Sequence, residues 1–269
     1  MSLRINSNPE ALSSHRYLVQ TEDKLQKSME RLSSGYRINR AADDAAGLAI
    51  SEKLQAQING LDQATRNAQD AVSLVQTAEG SLDEVHQMLQ RVRELAVQYK
   101  NGTLSATDQQ AIQSEVNQLA SEIERIGSTV QFNGVMLLNS TGMISFQVGA
   151  NDGEVITVPT ISLGNAVSAS ALQLSPTGTS DIAEIDAAIQ AISTQRATFG
   201  AVQNRLEHTL NELSTYSENM NAAESRIKDV DMAAEMVNYT KLQILQQAGT
   251  SMLAQANQLP QSVLSLLRG

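Results

Sequence analysis

The sequence predicts a mainly α protein: a long antiparallel coiled-coil or helical bundle that carries one small β-hairpin. Apolar residues recur seven apart over many heptads in two stretches, one in each half of the chain, the pattern of helices that bury one stripe against others. Between them, over about 130–180, the period shifts towards two, Gly and Pro appear and charge thins out, which marks strands and turns. Only 3% of the residues are aromatic and there is no Trp. The core therefore has to come from Leu, Ile, Val and Ala, which suits thin layers between close-packed helices more than a thick globule.

Taken in order, Leu18, Leu25 and Leu32 lie seven apart and predict a first helix. The strongest period follows: Leu54, Leu61, Ala68, Val75, Leu82, Leu89 and Ala96, accompanied at +3 by Ala64, Ala71, Ala78, Val85 and Val92, with Gln57 the polar exception. This predicts a helix from about Asp43, whose acid and that of Asp44 suit the positive N-terminal dipole, to about Tyr99. Asn101-Gly102 ends it. Ser105-Ala-Thr-Asp opens a second helix as a capping box with Asp in place of Glu. Ile112, Val116, Leu119, Ile123 and Ile126 form its apolar face, and Gly127 is expected to mark its end.

Ile144-Ser-Phe-Gln-Val alternates, Asn151-Asp152-Gly153 offers a turn and Val155-Ile-Thr-Val follows, which predicts a β-hairpin and then a Ser/Thr/Gly-rich loop to about Ser180. A third long helix opens near Asp181. Its stripe is Ile185, Ile192, Phe199, Leu206, Leu213, Met220 and Ile227, with Ala188, Val202, Tyr216, Ala223 and Val230 at +3 and Gln195 and Thr209 as polar exceptions. Leu245, Met252, Leu259 and Leu266 give a last helix, and no charged residue occurs from Leu242 to Leu267. That segment is too polar for a membrane span and too apolar for water, and a short paired helix is marginal alone. Both ends of the chain are expected to need neighbouring copies.

Net charge is −10, which argues against nucleic acid and anionic membrane as partners, since both require basic patches. There is no Cys, hence no disulfide and no thiolate metal site. No run of about 18 apolar residues predicts a transmembrane helix, and the N-terminus lacks the apolar core of a Sec signal. His15, His86 and His208 have no second ligand at helical spacing, and no HExxH, P-loop, GxGxxG or GxSxG occurs. No catalytic, cofactor or metal residue is therefore expected.

The segments Leu32 to Ile50 (LSSGYRINRAADDAAGLAI), Leu89 to Gln98 (LQRVRELAVQ), Gln131-Phe-Asn-Gly and Ile244 to Leu267 (ILQQAGTSMLAQANQLPQSVLSLL) resemble the signatures of bacterial flagellins. The resemblance covers about 1–140 and 180–269. It implies a subunit that stacks into the hollow helical flagellar filament for swimming motility, and not an enzyme. Terminal helices would pair into an inner coiled coil, here 1–42 with 228–269. An outer-tube domain would span 43–227, with the hairpin region at about 130–180 and without the surface insertions of larger relatives. Leu18, Leu25, Leu32, Leu245, Met252, Leu259 and Leu266 would be the inner packing residues. Gly35, Asn39, Arg40, Asp43 and Asp44 would form a stiff connector between layers, with Arg40 near the two acids. If exposed, that pairing is worth no more than ~1 kcal/mol, so its role would be geometry.

The same resemblance implies secretion by the flagellar type III export apparatus, a chaperone on the C-terminal segment, filament-cap and hook-junction proteins as neighbours, and an extracellular location. It also implies recognition by Toll-like receptor 5 through Gln90, Arg91, Leu95 and, on the next helix, Glu115. A hook–filament junction protein is the structural alternative. An enzyme or adhesin on the same ends would need a large insert near 140–180, and a cytosolic coiled-coil scaffold would not need the uncharged tail.

Overall fold

A computed structural model describes residues 8–167, 174 and 181–268, without the side chains of 165, 166 and 259–268. Its elements are α1 (Pro9–Ser34), α2 (Ala45–Tyr99), α3 (Ala106–Thr129), β1 (Gln131–Phe132), β2 (Val135–Met136), β3 (Gly142–Gln147), β4 (Val155–Thr160), α4 (Leu163–Ala166), α5 (Asp181–Lys228) and α6 (Met232–Arg268). They divide into two compact units: residues 1–56 with 219–269, and residues 57–218. The divisions at 56/57 and 218/219 fall within α2 and α5, inside the 43–227 span expected of the outer-tube domain. The reason is packing: the continuous buried stripes begin at Ile58 and Leu61 and end at Leu213, while Ile50 and Tyr216 are exposed.

Residues 57–218 form a helical layer closed by the hairpin. Every heptad position of α2 from Leu61 to Ala96 is buried, and Leu74, Leu95 and Tyr99 widen the stripe, as a helix needs when it is covered from more than one side. Ile185, Ile192, Phe199, Val202 and Leu206 of α5 and Val116 and Ile123 of α3 share that core. Ion pairs fix an antiparallel register of α2 and α5: Arg93 to Asp186 at 2.6 Å, Arg196 to Asp83 at 2.9 Å and Lys100 to Asp181 at 3.6 Å. The capping box of α3 forms, with Ser105 Oγ accepting from the Asp108 N–H and Asp108 accepting from the Ser105 N–H.

Gly127 does not end α3, which continues to Thr129. A β-carbon there would lie 3.2 Å from Leu163 Cβ, so the glycine serves close approach of the following chain. Immediately after α3, Asn133 (φ 49°) and Gly134 (φ 82°) turn a second, smaller antiparallel pair, β1 with β2. Two successive left-handed residues are what a type I′ hairpin turn demands.

The expected hairpin is β3 with β4, in register from Gly142 opposite Thr160 to Gln147 opposite Val155. Ile156 and Val158 point into the core. Its loop is closed by the Val148 N–H donating to Glu154 O at 2.9 Å. Asn151 also donates to the Glu154 carboxylate from its backbone N–H at 3.1 Å and its side-chain amide at 3.0 Å. Asn67 of α2 donates to Gln147 O and Gln195 of α5 to Pro159 O, which ties the hairpin to both long helices. Part of the loop expected before Ser180 is the short helix α4.

In the other unit α1 and α6 pack antiparallel. Asn8 caps α1, accepting from the Ala11 N–H, and donates across to Ala256 O at 2.7 Å. Leu18, Leu25 and Leu32 are half-buried. On α6 the residues turned to α1 include Leu242, Gly249 and Ala256, and Leu18 Cδ1 lies 3.3 Å from where a β-carbon on Gly249 would be.

The buried positions of α2 generate one test. Leu82→Ala should destabilise the chain by roughly 2–5 kcal/mol, read from the urea unfolding midpoint. Gln76→Ala on the exposed side should stay within about 0.5 kcal/mol of the parent.

Candidate functional site

The junction between α1 and α2 meets the junction between α5 and α6, and this meeting is the most closely hydrogen-bonded irregular structure in its unit. Gly35 ends α1 in the left-handed region (φ 77°), its N–H donating to Arg31 O. The chain then forms a two-residue antiparallel bridge, Tyr36 opposite Asp229. The Arg37 N–H donates to Lys228 O at 2.7 Å and the Val230 N–H to Gly35 O at 3.0 Å. The Arg37 guanidinium donates to Ile227 O at 2.6 Å. Helix ends leave their last carbonyls without intrahelical donors and carry partial negative charge. Arg37 thus caps α5 from a distant part of the chain, twice. The Lys228 ammonium lies 4.6 Å over the Tyr36 ring, a cation–π contact.

Beyond Arg37, Ile38 is buried. The Asp43 carboxylate accepts from the N–H groups of Asn39 at 3.3 Å and Arg40 at 3.2 Å, and Lys27 approaches it at 3.8 Å. The Arg40 amide, then the Asn39 amide and the Lys27 and Arg31 charges, hold this carboxyl below the usual aspartate range. Asp44 caps α2, its Oδ1 accepting from the Gly47 N–H at 2.9 Å. A β-carbon on Gly47 would come within 2.7 Å of Ile38 Cδ1, so a larger residue there would displace Ile38 and the Asp44 cap. Asp231 caps α6, accepting from Ala233 and Ala234 at 3.0 and 3.1 Å.

The structure therefore gathers Gly35, Asn39, Arg40, Asp43 and Asp44 in one segment, with one difference from expectation. The Arg40 side chain turns to Glu30 of α1 at 2.9 Å, and only its backbone N–H meets Asp43. Arg37, Ile38 and Lys228 carry as much of the junction, and no local pattern singles out Arg37 and Lys228, whose partners lie about 190 residues away.

The expected packing residues separate. Leu245 and Met252 are 47% and 59% exposed, off the α1–α6 seam, on a surface with Val237 and Ile244. Met232, Met236, Leu12 and Met29 add to the exposed apolar area of the two helices. The side chains of Leu259 and Leu266 lie outside the described residues.

Arg91 and Glu115 meet across α2 and α3 as an exposed pair, with Arg91 Nη2 2.9 Å from Glu115 Oε1 and Glu94 also bonded to Arg91. These carboxylates, Glu115 foremost, raise the Arg91 pKa. Gln90 is exposed beside them, bonded to His86. Leu95 is buried in the core and supports this surface without belonging to it.

An open groove of about 490 Å³ between the hairpin loop and α5 is lined by Leu61, Val148, Glu154, Arg205, His208 and Tyr216, among others. Among the described residues no group of His, Cys, Asp and Glu could hold a metal ion, and no helix is long and apolar enough to cross a membrane.

Known proteins match nearly the whole chain. Residues 5–142 match the family model of the bacterial flagellin N-terminal helical region, and residues 182–267 that of the C-terminal helical region. A flagellin of Halalkalibacterium halodurans is 54% identical over 270 aligned residues, covering 98% of this chain and 99% of the relative. A flagellin of Bacillus subtilis is 48% identical, covering 99% of this chain and 100% of the relative. The crystal structure of Bacillus cereus flagellin superposes with a TM-score of 0.51 at 36% identity, covering 59% of this chain and 94% of that one.

The junction makes two testable statements. Asp43 binds its proton more weakly folded than unfolded, so its contribution is complete above about pH 3.9 and is lost as pH falls through the lower, folded value. The amide NMR signals of Asn39 and Arg40 should titrate together, with a midpoint below that of an ordinary aspartate. Arg37→Ala should cost about 1 kcal/mol and raise hydrogen exchange at Val230.

Proposed function

The chain belongs to the bacterial flagellin family, and from that premise we propose that its α1–α6 unit is completed only between neighbouring copies in the filament. Flagellins are structural proteins. This chain is a subunit of the flagellar filament, an extracellular homopolymer that serves motility. What supports the finer reading is the outward apolar stripe of α6. Val237, Ile244, Leu245 and Met252 are all exposed, on a helix that has no charged residue from Leu242 to Leu267. Contiguous exposed apolar surface of this kind marks a protein–protein contact. Leu18, Leu25 and Leu32 hold α1 to α6 within the chain. Leu245, Met252, Leu259 and Leu266 are assigned to packing between copies in the inner layer.

In this reading the protein works mechanically and carries no catalytic or cofactor site. The connector of Gly35, Asn39, Arg40, Asp43 and Asp44, with Arg37, keeps the helix breaks in fixed geometry while subunits are loaded along the filament. The same reading includes export by the flagellar type III apparatus, a chaperone on the C-terminal segment, and contacts with cap and hook-junction proteins. Recognition by Toll-like receptor 5 would centre on Gln90, Arg91 and Glu115, with Leu95 beneath them setting their positions.

Purified chain should elongate short filament seeds. Leu245→Asp is expected to stop elongation while leaving the urea transition of residues 57–218 unchanged, measured by light scattering and circular dichroism. Undiminished elongation by this variant would overturn the assignment of the stripe. For the receptor, Arg91→Ala should lower activation in a reporter cell at least tenfold, and Lys53→Ala should leave it unchanged.

A further inference from the structure

α6 presents two apolar stripes of comparable content, and the one that faces α1 is flanked by half-buried Tyr239 and Leu253. The seam side runs Leu242, Gly249 and Ala256, each seven residues from the next. The outer side, three residues on, carries Leu245 and Met252. Turning Leu245 and Met252 onto Leu18 and Leu25 would bury them at the expense of the half-buried Tyr239 and Leu253, an exchange close to neutral in apolar area. That alternative needs only a rotation of about 60° and a slide of about 4.5 Å. Apolar burial alone does not account for the observed choice.

The same seven-residue ladder, extended one step towards the N-terminus of α6, reaches Glu235. Among the described residues Glu235 is the only buried charged side chain of its unit. Ser28 of α1, itself 1% exposed, donates from Oγ to Glu235 Oε1 at 2.5 Å. Asn238 donates to the same oxygen at 3.2 Å, and Arg31 of α1 stands 3.9 Å from Oε2. A buried carboxylate holds its place only while its partners are aligned with it. In coiled coils a single buried polar group fixes register in this way at some cost in stability.

We propose that the Ser28–Glu235 pair, with Arg31 and Asn238, is a positioning device that sets the rotational phase of α6 on α1 and so keeps the Leu245/Met252 stripe outward. The bridge at Tyr36 and Asp229 fixes the chain only as far as Val230. Glu235 is the first buried side chain of α6. Its partners place the ladder of 242, 249 and 256 inward. The consequence for assembly rests on the filament reading above; the choice of phase does not.

The chain has no Cys, so paired cysteines report the phase directly. In the full-length free chain, Leu18→Cys with Gly249→Cys should be joined within one molecule by a short bifunctional thiol reagent. Leu18→Cys with Met252→Cys should be joined several-fold less. In a Glu235→Leu background the preference should reverse. Glu235→Gln, which keeps a group for Ser28 to bond, should retain the parental preference, and Ser28→Ala should shift it part of the way. Chains trapped in the Gly249 phase should still elongate seeds, and those trapped in the Met252 phase should not. The proposal is overturned if Glu235→Leu and Ser28→Ala both keep the parental preference, or if both lose the two links equally. If the preference reverses as expected and yet no chain, parental included, elongates seeds, the phase assignment stands and the filament reading falls.

Discussion

Small side chains on one stripe of α2 constrain the rest of residues 57–218. Ala64, Ala68, Ala71, Ala78 and Ala96 are almost completely buried, and a helix can approach alanine more closely than leucine. A thin layer results, in which few large residues, chiefly Leu82, Leu89 and Phe199, fill the wider places. Close packing of small groups supplies dispersion contacts along the whole length but discriminates poorly between registers, since one alanine resembles the next. Arg93 with Asp186, Arg196 with Asp83 and Lys100 with Asp181 supply what the stripe lacks. The exposed Arg93–Asp186 pair is worth little in stability. The value of the three pairs lies in agreeing on one alignment.

Residues 1–56 with 219–269 are built on the opposite plan. The leucines of α1 are only half-buried, the seam includes Gly249, and a carboxylate occupies a core position. Two helices cannot enclose a core between them, so most of their apolar area stays at the edge of the seam or outside it. Such a pair gains less from folding than a helix buried on several sides, and ordering its backbone costs about as much per residue. This unit is therefore the less stable of the two, and further cover adds to its stability. That is the property required of a segment that has to join a polymer.

Heptad arithmetic made the α2, α3 and α5 stripes legible in the sequence, because burial there follows a local period. The β3–β4 hairpin and the Ser105 cap were legible for the same reason: each is decided by residues within one turn or one strand of each other. The Asn133-Gly134 turn carries its own signal, an Asn-Gly pair within the Gln131-Phe-Asn-Gly motif. Gly127 was misplaced as a helix end because its function, room for Leu163, depends on chain 36 residues away. The phase of α6 was illegible in principle. Leu245 and Met252 form a comparable apolar stripe, and what turns them outward is the contact of Glu235 with Ser28, 207 residues from it in sequence. Long-range polar contacts leave no period.

The junction of the four helix ends shows how a loosely packed unit keeps a definite shape. Each break in a helix exposes unpaired backbone groups. Here the breaks after α1 and after α5 are placed side by side, so that each chain satisfies groups left open in the other: Arg37 serves the carbonyls of α5, and Gly35 O receives Val230. Asp44 and Asp231 cap the helices that follow. Little apolar area is involved beyond Ile38. Rigidity comes from directional bonds whose geometry is specified on both sides, which survive where a hydrophobic contact would slide. A filament subunit needs terminal helices that stay uncommitted until a neighbour arrives, and a joint that does not move when it does. The sequence separates these demands by chemistry, with apolar stripes left open along α6 and hydrogen bonds closed at the joint.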